Sequence, residues 1–138
     1  MTYGLYMISL LIGVLKFMLN TTNSLGLNEA FGNEVSPIPL FETWFAEAKE
    51  NEINDPNAFA LATVDVSGQP SVRMLLLKGI KEKGFIFYTN MNSRKANDLQ
   101  SNQKASICFH WKSLRRQVRV IGRVEEVSKK EADDYYNS

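Results

Sequence analysis

The sequence predicts a mostly β, largely antiparallel domain with flanking helices, its sheet curled into a small barrel. Three observations carry that expectation. Between residues 58 and 126, five segments rich in Val, Ile, Leu, Phe and Tyr are divided by short turn-forming links. Such links join antiparallel neighbours, because parallel strands need long crossovers. Segments of helical period precede the first strand, separate the third from the fourth and follow the fifth. A sheet this small also has edges that invite aggregation unless it closes on itself.

The elements follow in order. "LYMISLLIGVLKFML" (Leu5–Leu19) is strongly apolar but interrupted by Lys16, and it falls short of the roughly 20 residues of a membrane span. It lacks the basic start and small-residue cleavage site of a signal peptide. A weak anchor and a disordered extension, with Met18 as an alternative start, both remain open; the extension is the expectation. "NTTNSLGLNEAFGNEVSP" is polar and without a usable period, so it reads as a floppy arm. Residues 1–37 are thus expected to be unstructured, and 38–138 to form one domain.

In "PIPLFETWFAEAKENEI", Leu40, Phe41, Trp44, Phe45 and Ala48 recur at helical spacing, opposite Glu42, Glu47, Lys49 and Glu50. This is an amphipathic helix with an apolar face for the core. "AFALATVD" and "PSVRMLLLKG" flank the turn "VSGQ", and "FIFYTN" is the third strand. A helix opens at Ser93. "KASICFHWK", a short "SLR" turn and "RQVRVIGRVEEV" give two more strands. In "SKKEADDYYNS" a Ser N-cap precedes acidic residues, which marks a helix start.

Composition narrows the chemistry. The net charge is +1, so no global field draws the chain to nucleic acid or acidic membranes. Cys108 is the single cysteine and His110 the single histidine, which excludes an intrachain disulfide and a Cys/His zinc site and suits a reducing cytoplasm. No metal is expected.

Arg94 and Lys95 sit in the first turn of the second helix, where the dipole is already positive. A phosphate would turn that repulsion into attraction, with Thr89 and Ser93 completing its shell. The bland alternative is a solvated basic helix start. Arg73 and Lys78 are a second cationic pair. Alternation places Arg73 with Leu75 and Leu77, and Lys78 with Met74 and Leu76. Either a bulge intervenes or Lys78 works from the strand's end on another part of the site. In "RRQVRVIGR", Arg115, Gln117, Arg119, Ile121 and Arg123 share one face. Basic strands near Phe109 and Trp111 suggest an RNA-binding sheet, but no RNP-type aromatic motif accompanies them.

"RMLLLKGIKEKGFIFYTNMNSRKANDLQSN" followed by "FHWKSLRRQVRVIGRVEEVS" resembles the flavin-binding half of pyridoxamine 5′-phosphate oxidase, an FMN-dependent split-barrel family that works as homodimers. The match runs ungapped from about Pro39 to Tyr135. The resemblance implies that Arg94 and Lys95 grip the FMN phosphate. It implies that Arg73, Met74, Leu75, Leu76, Leu77 and Lys78 line the flavin, with Arg73 reaching its phosphate. Tyr88, Thr89 and Ser93 belong to the same cofactor set, and Gln117 hydrogen-bonds the flavin, across the dimer. Lys78 and Tyr135 resemble residues that bind the substrate phosphate. The reaction implied is oxidation of pyridoxamine or pyridoxine 5′-phosphate to pyridoxal 5′-phosphate, with O2 reduced to H2O2, in vitamin B6 metabolism. No residue is identified as an acid or base. No nucleic-acid or membrane partner is expected.

Departures from the family pattern accompany the match. An arginine and a serine that follow the tyrosine, and a later tryptophan, arginine and histidine, have no counterpart before Ser138. "NTTN" does not match the family's basic N-terminal arm. The sequence reading therefore expects the flavin phosphate site to be mostly present and the substrate half mostly absent. The rival to a weakened oxidase is a non-catalytic FMN-binding module or a gene remnant.

Overall fold

The computed structural model describes residues 3–9, 37–81 and 84–136, and for residues 3–9, 37, 135 and 136 the backbone alone. In chain order these form β1 (Tyr3–Ser9), α1 (Pro37–Asn51), β2 (Ala58–Val64), β3 (Pro70–Lys81), β4 (Gly84–Asn90), α2 (Arg94–Ser101), β5 (Lys104–Trp111), β6 (Arg116–Glu126) and α3 (Lys129–Tyr136). A single 3-10 turn, Lys112–Leu114, joins β5 to β6. The strands close into a barrel in the order β1-β4-β3-β2-β5-β6, and every pairing is antiparallel. This is the small antiparallel barrel with flanking helices that the strand pattern predicts.

The expectation of an unstructured start fails at Tyr3–Ser9. That segment is a strand, paired with β4 from Tyr3↔Asn90 to Ser9↔Gly84 and with β6 from Tyr6↔Glu126 to Ser9↔Arg123. The open backbone groups on the facing edges of β4 and β6 supply the reason, since an apolar segment that bonds to both removes two edges at once. The rest of the expected arm, residues 10–36, lies outside the described residues.

Alternation decides what fills the barrel. Phe59, Leu61 and Thr63 of β2 point inward and are completely buried. Leu77, Phe85, Phe87, Ile107, Phe109, Trp111, Val118, Val120 and Val124 join the same core. Helix α1 lies against this core with its apolar stripe. Phe41 sits 5.0 Å from both Phe85, edge-on, and Phe109, tilted, within the range where aromatic pairs attract. Burying such a side chain contributes roughly 1.5–3 kcal/mol. Two polar contacts hold the C-terminal half of α1: Glu47 pairs with Arg116, which also lies 4.6 Å over the Trp44 ring. Glu52 accepts from the backbone N–H and hydroxyl of Ser113.

The β2–β3 hairpin turns on Asp65 and Gly68. The Asp65 carboxylate accepts from the Ser67 and Gln69 N–H groups and the Ser67 hydroxyl. Gly68 has φ +87, a conformation in which a Cβ is strained. In β3 the pairing with β4 shifts between Leu77 and Gly79, so Lys78 is the extra residue of a bulge. The bulge leaves Lys78 on the face opposite Arg73, so a bulge is present but the two cations still serve different parts of the strand's surroundings. The bulge is braced by Asn57, whose carbonyl accepts from the Leu77 N–H while its amide donates to the Leu77 carbonyl. Helix α3 starts with the expected cap: Ser128 donates to Glu131 and accepts from the Glu131 N–H.

Candidate functional site

Three of the cations singled out in the sequence meet at the end of the barrel that α2 covers. Ser93 caps α2, accepting from the Ala96 N–H at 3.3 Å and donating to the Asn90 carbonyl at 2.6 Å. Its hydroxyl is committed to the helix, so its part in the expected shell is to set where α2 begins. Arg94 and Lys95 follow in the first turn, which contains no acidic residue. Arg94 reaches 3.9 Å from Asp65 at the hairpin tip, with its side chain 65% exposed; such an open pair is worth little and leaves the guanidinium free to move.

Arg73 comes to the same place from β3. It points inward with Ser71, Leu75 and Leu77, while Val72, Met74, Leu76 and Lys78 point outward. Its guanidinium donates to the Leu61 carbonyl at 3.1 Å, to Thr63 Oγ1 at 2.7 Å and to Ser71 Oγ at 3.1 Å. Asp98 of α2 lies 3.9 Å away. The cations also bear on one another electrostatically. Burial, and then the positive charge of Arg73, hold Lys95 below the ordinary lysine value. Burial likewise lowers Arg73; Asp98 opposes that shift and Arg94 adds to it. Like charges gathered so closely are unfavourable in the free protein and favour an anion between them.

Near the end of β4, just before α2, Thr89 is 3% exposed and its hydroxyl has no hydrogen-bond partner among the described residues. An unsatisfied buried hydroxyl calls for an explanation, and a ligand oxygen is one. These features fit a phosphate monoester: two guanidinium groups, an ammonium, the start of a helix and a spare donor.

The remaining sequence-predicted residues are divided between the two faces of the sheet. Lys78 Nζ stands 5.5 Å over the Tyr88 ring on the outer face. Met74 and Leu76 are exposed beside them, at 64% and 54%. Leu75 and Leu77 face the interior and pack in or against the core. Gln117 lies opposite His110 on β6, separated from Lys78 by β2 and β5. Within one protomer Gln117 and Lys78 are thus on strands that are not neighbours. Tyr135 belongs to α3 by its backbone; its side chain lies outside the described residues.

Sequence reasoning missed Thr63, Ser71 and Asp98, the residues that hold Arg73. A signal was present. In the inward series Phe59, Leu61, Thr63, a hydroxyl stands at a core position, which calls for a buried polar partner.

The outer face of β3, β2, β5 and β6 carries several exposed apolar side chains among polar ones. Val72 and Ile121 are 67% and 52% exposed. Together with Ala60, Ala62, Ser106, Cys108 and Arg119 they line a hollow of about 400 Å³. Burial raises the Cys108 thiol above its ordinary value, although Gln117 and Arg119 oppose the shift.

Comparison with known proteins bears on the family and the fold. The family profile described as pyridoxamine 5′-phosphate oxidase matches residues 45–138. A pyridoxine/pyridoxamine 5′-phosphate oxidase of Pelagibacter ubique is 59% identical over 120 residues, which is 87% of this chain and 58% of the relative. The protein of the same name from Allorhizobium ampelinum is 61% identical over 108 residues, 78% of this chain and 52% of the relative. The chain thus spans little more than half the length of these curated relatives. Among solved structures, PhzG from Burkholderia lata in complex with tetrahydrophenazine-1-carboxylic acid superimposes with a TM-score of 0.73 at 29% identity, over 79% of this chain and 54% of that one. A pyridoxamine 5′-phosphate oxidase-related, FMN binding protein from Nostoc punctiforme gives a TM-score of 0.55 at 29% identity, over 60% of this chain and 46% of that one. The matched stretch contains the whole barrel from β2 to β6, the bulged β3 and the basic start of α2, and on that evidence the chain belongs to the pyridoxamine 5′-phosphate oxidase family.

Proposed function

We propose that this chain is the flavin-holding part of an FMN-dependent oxidase of pyridoxamine and pyridoxine 5′-phosphate, acting as a cytoplasmic homodimer in vitamin B6 metabolism. The observation that carries the reading is that Arg73 reaches across to Asp98 of α2, the helix that Arg94 and Lys95 open, with the Thr89 hydroxyl unpartnered among the described residues. Bound FMN would supply the redox chemistry, taking two electrons as hydride from the substrate's C4′ carbon and reducing O2 to H2O2; the alcohol then gives pyridoxal 5′-phosphate directly, and the amine does so once water has replaced its nitrogen, released as ammonia.

The chain's own residues bind and orient. Arg73, Arg94 and Lys95 neutralise the FMN phosphate, and Thr89 donates to it. Met74 and Leu76 offer apolar surface to the flavin on the outer face, and Lys78 and Tyr88 stand beside them. Lys78, held over Tyr88 at the bulge, is the protein cation placed to meet a substrate phosphate, with Tyr135 as its expected partner. Proteins of this kind leave the hard chemistry to the cofactor, while the protein binds and orients.

The dimer completes the site. Val72, Met74, Leu76 and Ile121 form an exposed apolar patch of the sort that monomers seldom leave open. A second copy seated there would bring its own Gln117 toward the Lys78 side of its partner. Sedimentation at micromolar concentration should give a dimer, and Ile121→Glu should shift it to monomer with loss of flavin. A clean monomer in the parent protein would reject this part.

The decisive experiment is spectroscopic. Purified protein should be yellow with an FMN spectrum, bleach anaerobically on addition of pyridoxamine 5′-phosphate, and recover its colour in air. Colour without bleaching would favour a non-catalytic FMN module. Protein that FMN does not reconstitute would overturn the proposal.

A further inference from the structure

We propose that Asp98 is a positioning residue of the phosphate site: through the hydroxyls of Thr63 and Ser71 it fixes the Arg73 guanidinium relative to the start of α2. The inference rests on the reading of Arg73, Arg94 and Lys95 as phosphate-binding groups.

An ionised carboxylate can only accept hydrogen bonds. Thr63 Oγ1 and Ser71 Oγ lie 2.8 and 3.3 Å from Asp98 Oδ2, so each directs its single hydroxyl proton there. Their lone pairs are left to accept, and Arg73 donates to both, from Nη1 to Thr63 and from Nη2 to Ser71. The carboxylate thus sets the polarity of two parallel bridges. The direct Arg73–Asp98 contact stays long, at 3.9 Å, so the guanidinium is held in place without being closed off in a two-pronged ion pair.

The same carboxylate belongs to the helix that presents the other cations. Asp98 follows Arg94 by four residues and Lys95 by three, which puts all three side chains along one side of α2. A shift of the helix would therefore move Arg73 with it. A purely structural role does not require a charge here. The neighbouring buried residues of α2 are Ala96 and Leu99, and an apolar side chain would pack with them at less cost than a carboxylate that is only 5% exposed. What an apolar residue would lose is the aim of Arg73.

Flavin titration of the free protein, followed by fluorescence quenching, tests this. Asp98→Ala should weaken FMN by about tenfold or more while riboflavin, which lacks the phosphate, changes by less than about twofold. Asp98→Asn keeps an acceptor oxygen for the two hydroxyls and should restore most of the affinity. In an Arg73→Met background, Asp98→Ala should cause no further loss, because its effect acts through Arg73. Equal weakening of FMN and riboflavin, or a full Asp98→Ala effect without Arg73, would overturn the inference. Should Asp98→Ala fail to fold, Ser71→Ala removes one of the two bridges and should give a smaller loss confined to FMN; no such loss would count against it. If Arg73→Met leaves the preference for FMN over riboflavin intact, the phosphate reading itself fails and the role of Asp98 falls with it.

Discussion

Replacing Lys95 with Met separates a phosphate ligand from a structural lysine, because the two roles give opposite signs in the free protein. Burial and the nearby Arg73 charge both disfavour charged Lys95, so removing the ammonium while keeping the aliphatic stem should leave the free protein at least as stable as the parent. With FMN the balance reverses. A hydrogen bond to a charged group contributes roughly 1.5–3 kcal/mol, so losing it should weaken FMN by about 10- to 150-fold, with riboflavin unaffected. The pH dependence carries the same signature. Lys95 has a folded-state pKa below the 10.5 of an ordinary lysine, so the unfolded chain holds more protons in the interval between the two values. Stability should therefore rise with pH through that interval, and the rise should flatten in Lys95→Met. A bound dianion favours the charged ammonium, so FMN binding in the same interval should take up protons. Fluorescence titrations with the two flavins and urea unfolding at several alkaline pH values are the assays. Equal loss of both flavins, or a free variant less stable than the parent by more than about 1 kcal/mol, would refute the assignment.

Three further outcomes test the fold beneath the site. Phe41→Ala, which empties the contact between α1 and Phe85, Phe109 and Trp111, should cost about 3–5 kcal/mol in urea unfolding. Gly68→Ala meets no atom within 4 Å, so its penalty should be the backbone term alone, about 1–2 kcal/mol, with the hairpin and flavin binding retained. Removing residues 1–9 takes away β1 and exposes the paired edges of β4 and β6, so that variant should aggregate on mild heating where the parent stays monodisperse.

The sequence showed the barrel because its strands alternate. The inward series Phe59, Leu61 and Phe85, Phe87 could be read directly, as could the helical stripe of Phe41, Trp44 and Ala48. β1 escaped because "YGLYMIS" has no polar alternation to betray a strand. Its pairing comes from two edges more than 70 residues away in sequence, which no local signal reports. Alternation also showed that Arg73 and Lys78 belong to opposite faces, and that a bulge was one way to reconcile them. It could not place the bulge, because Asn57, which braces it, lies 20 residues earlier.

The site was legible in the same uneven way, and the unevenness has a physical cause. Arg94 and Lys95 stood out because two cations at a helix start oppose the dipole; a local conflict of that kind marks function more often than packing. Asp98 raised no such conflict, since one acidic residue inside "RKANDLQS" reads as a solvated helix position. Its meaning appears only when β2 and β3 bring Thr63 and Ser71 beneath it. The cations proposed to meet a ligand were thus visible from one stretch of chain, whereas the groups that hydrogen-bond or pair with Arg73 are spread over three elements. Recognition of a phosphate needs local charge, which a short stretch of sequence can reveal; its geometry needs relays, which only the fold assembles. In this protein the relay runs through two hydroxyls to a carboxylate on the helix that carries Arg94 and Lys95, so the barrel end and the helix start should move, and bind, as one unit.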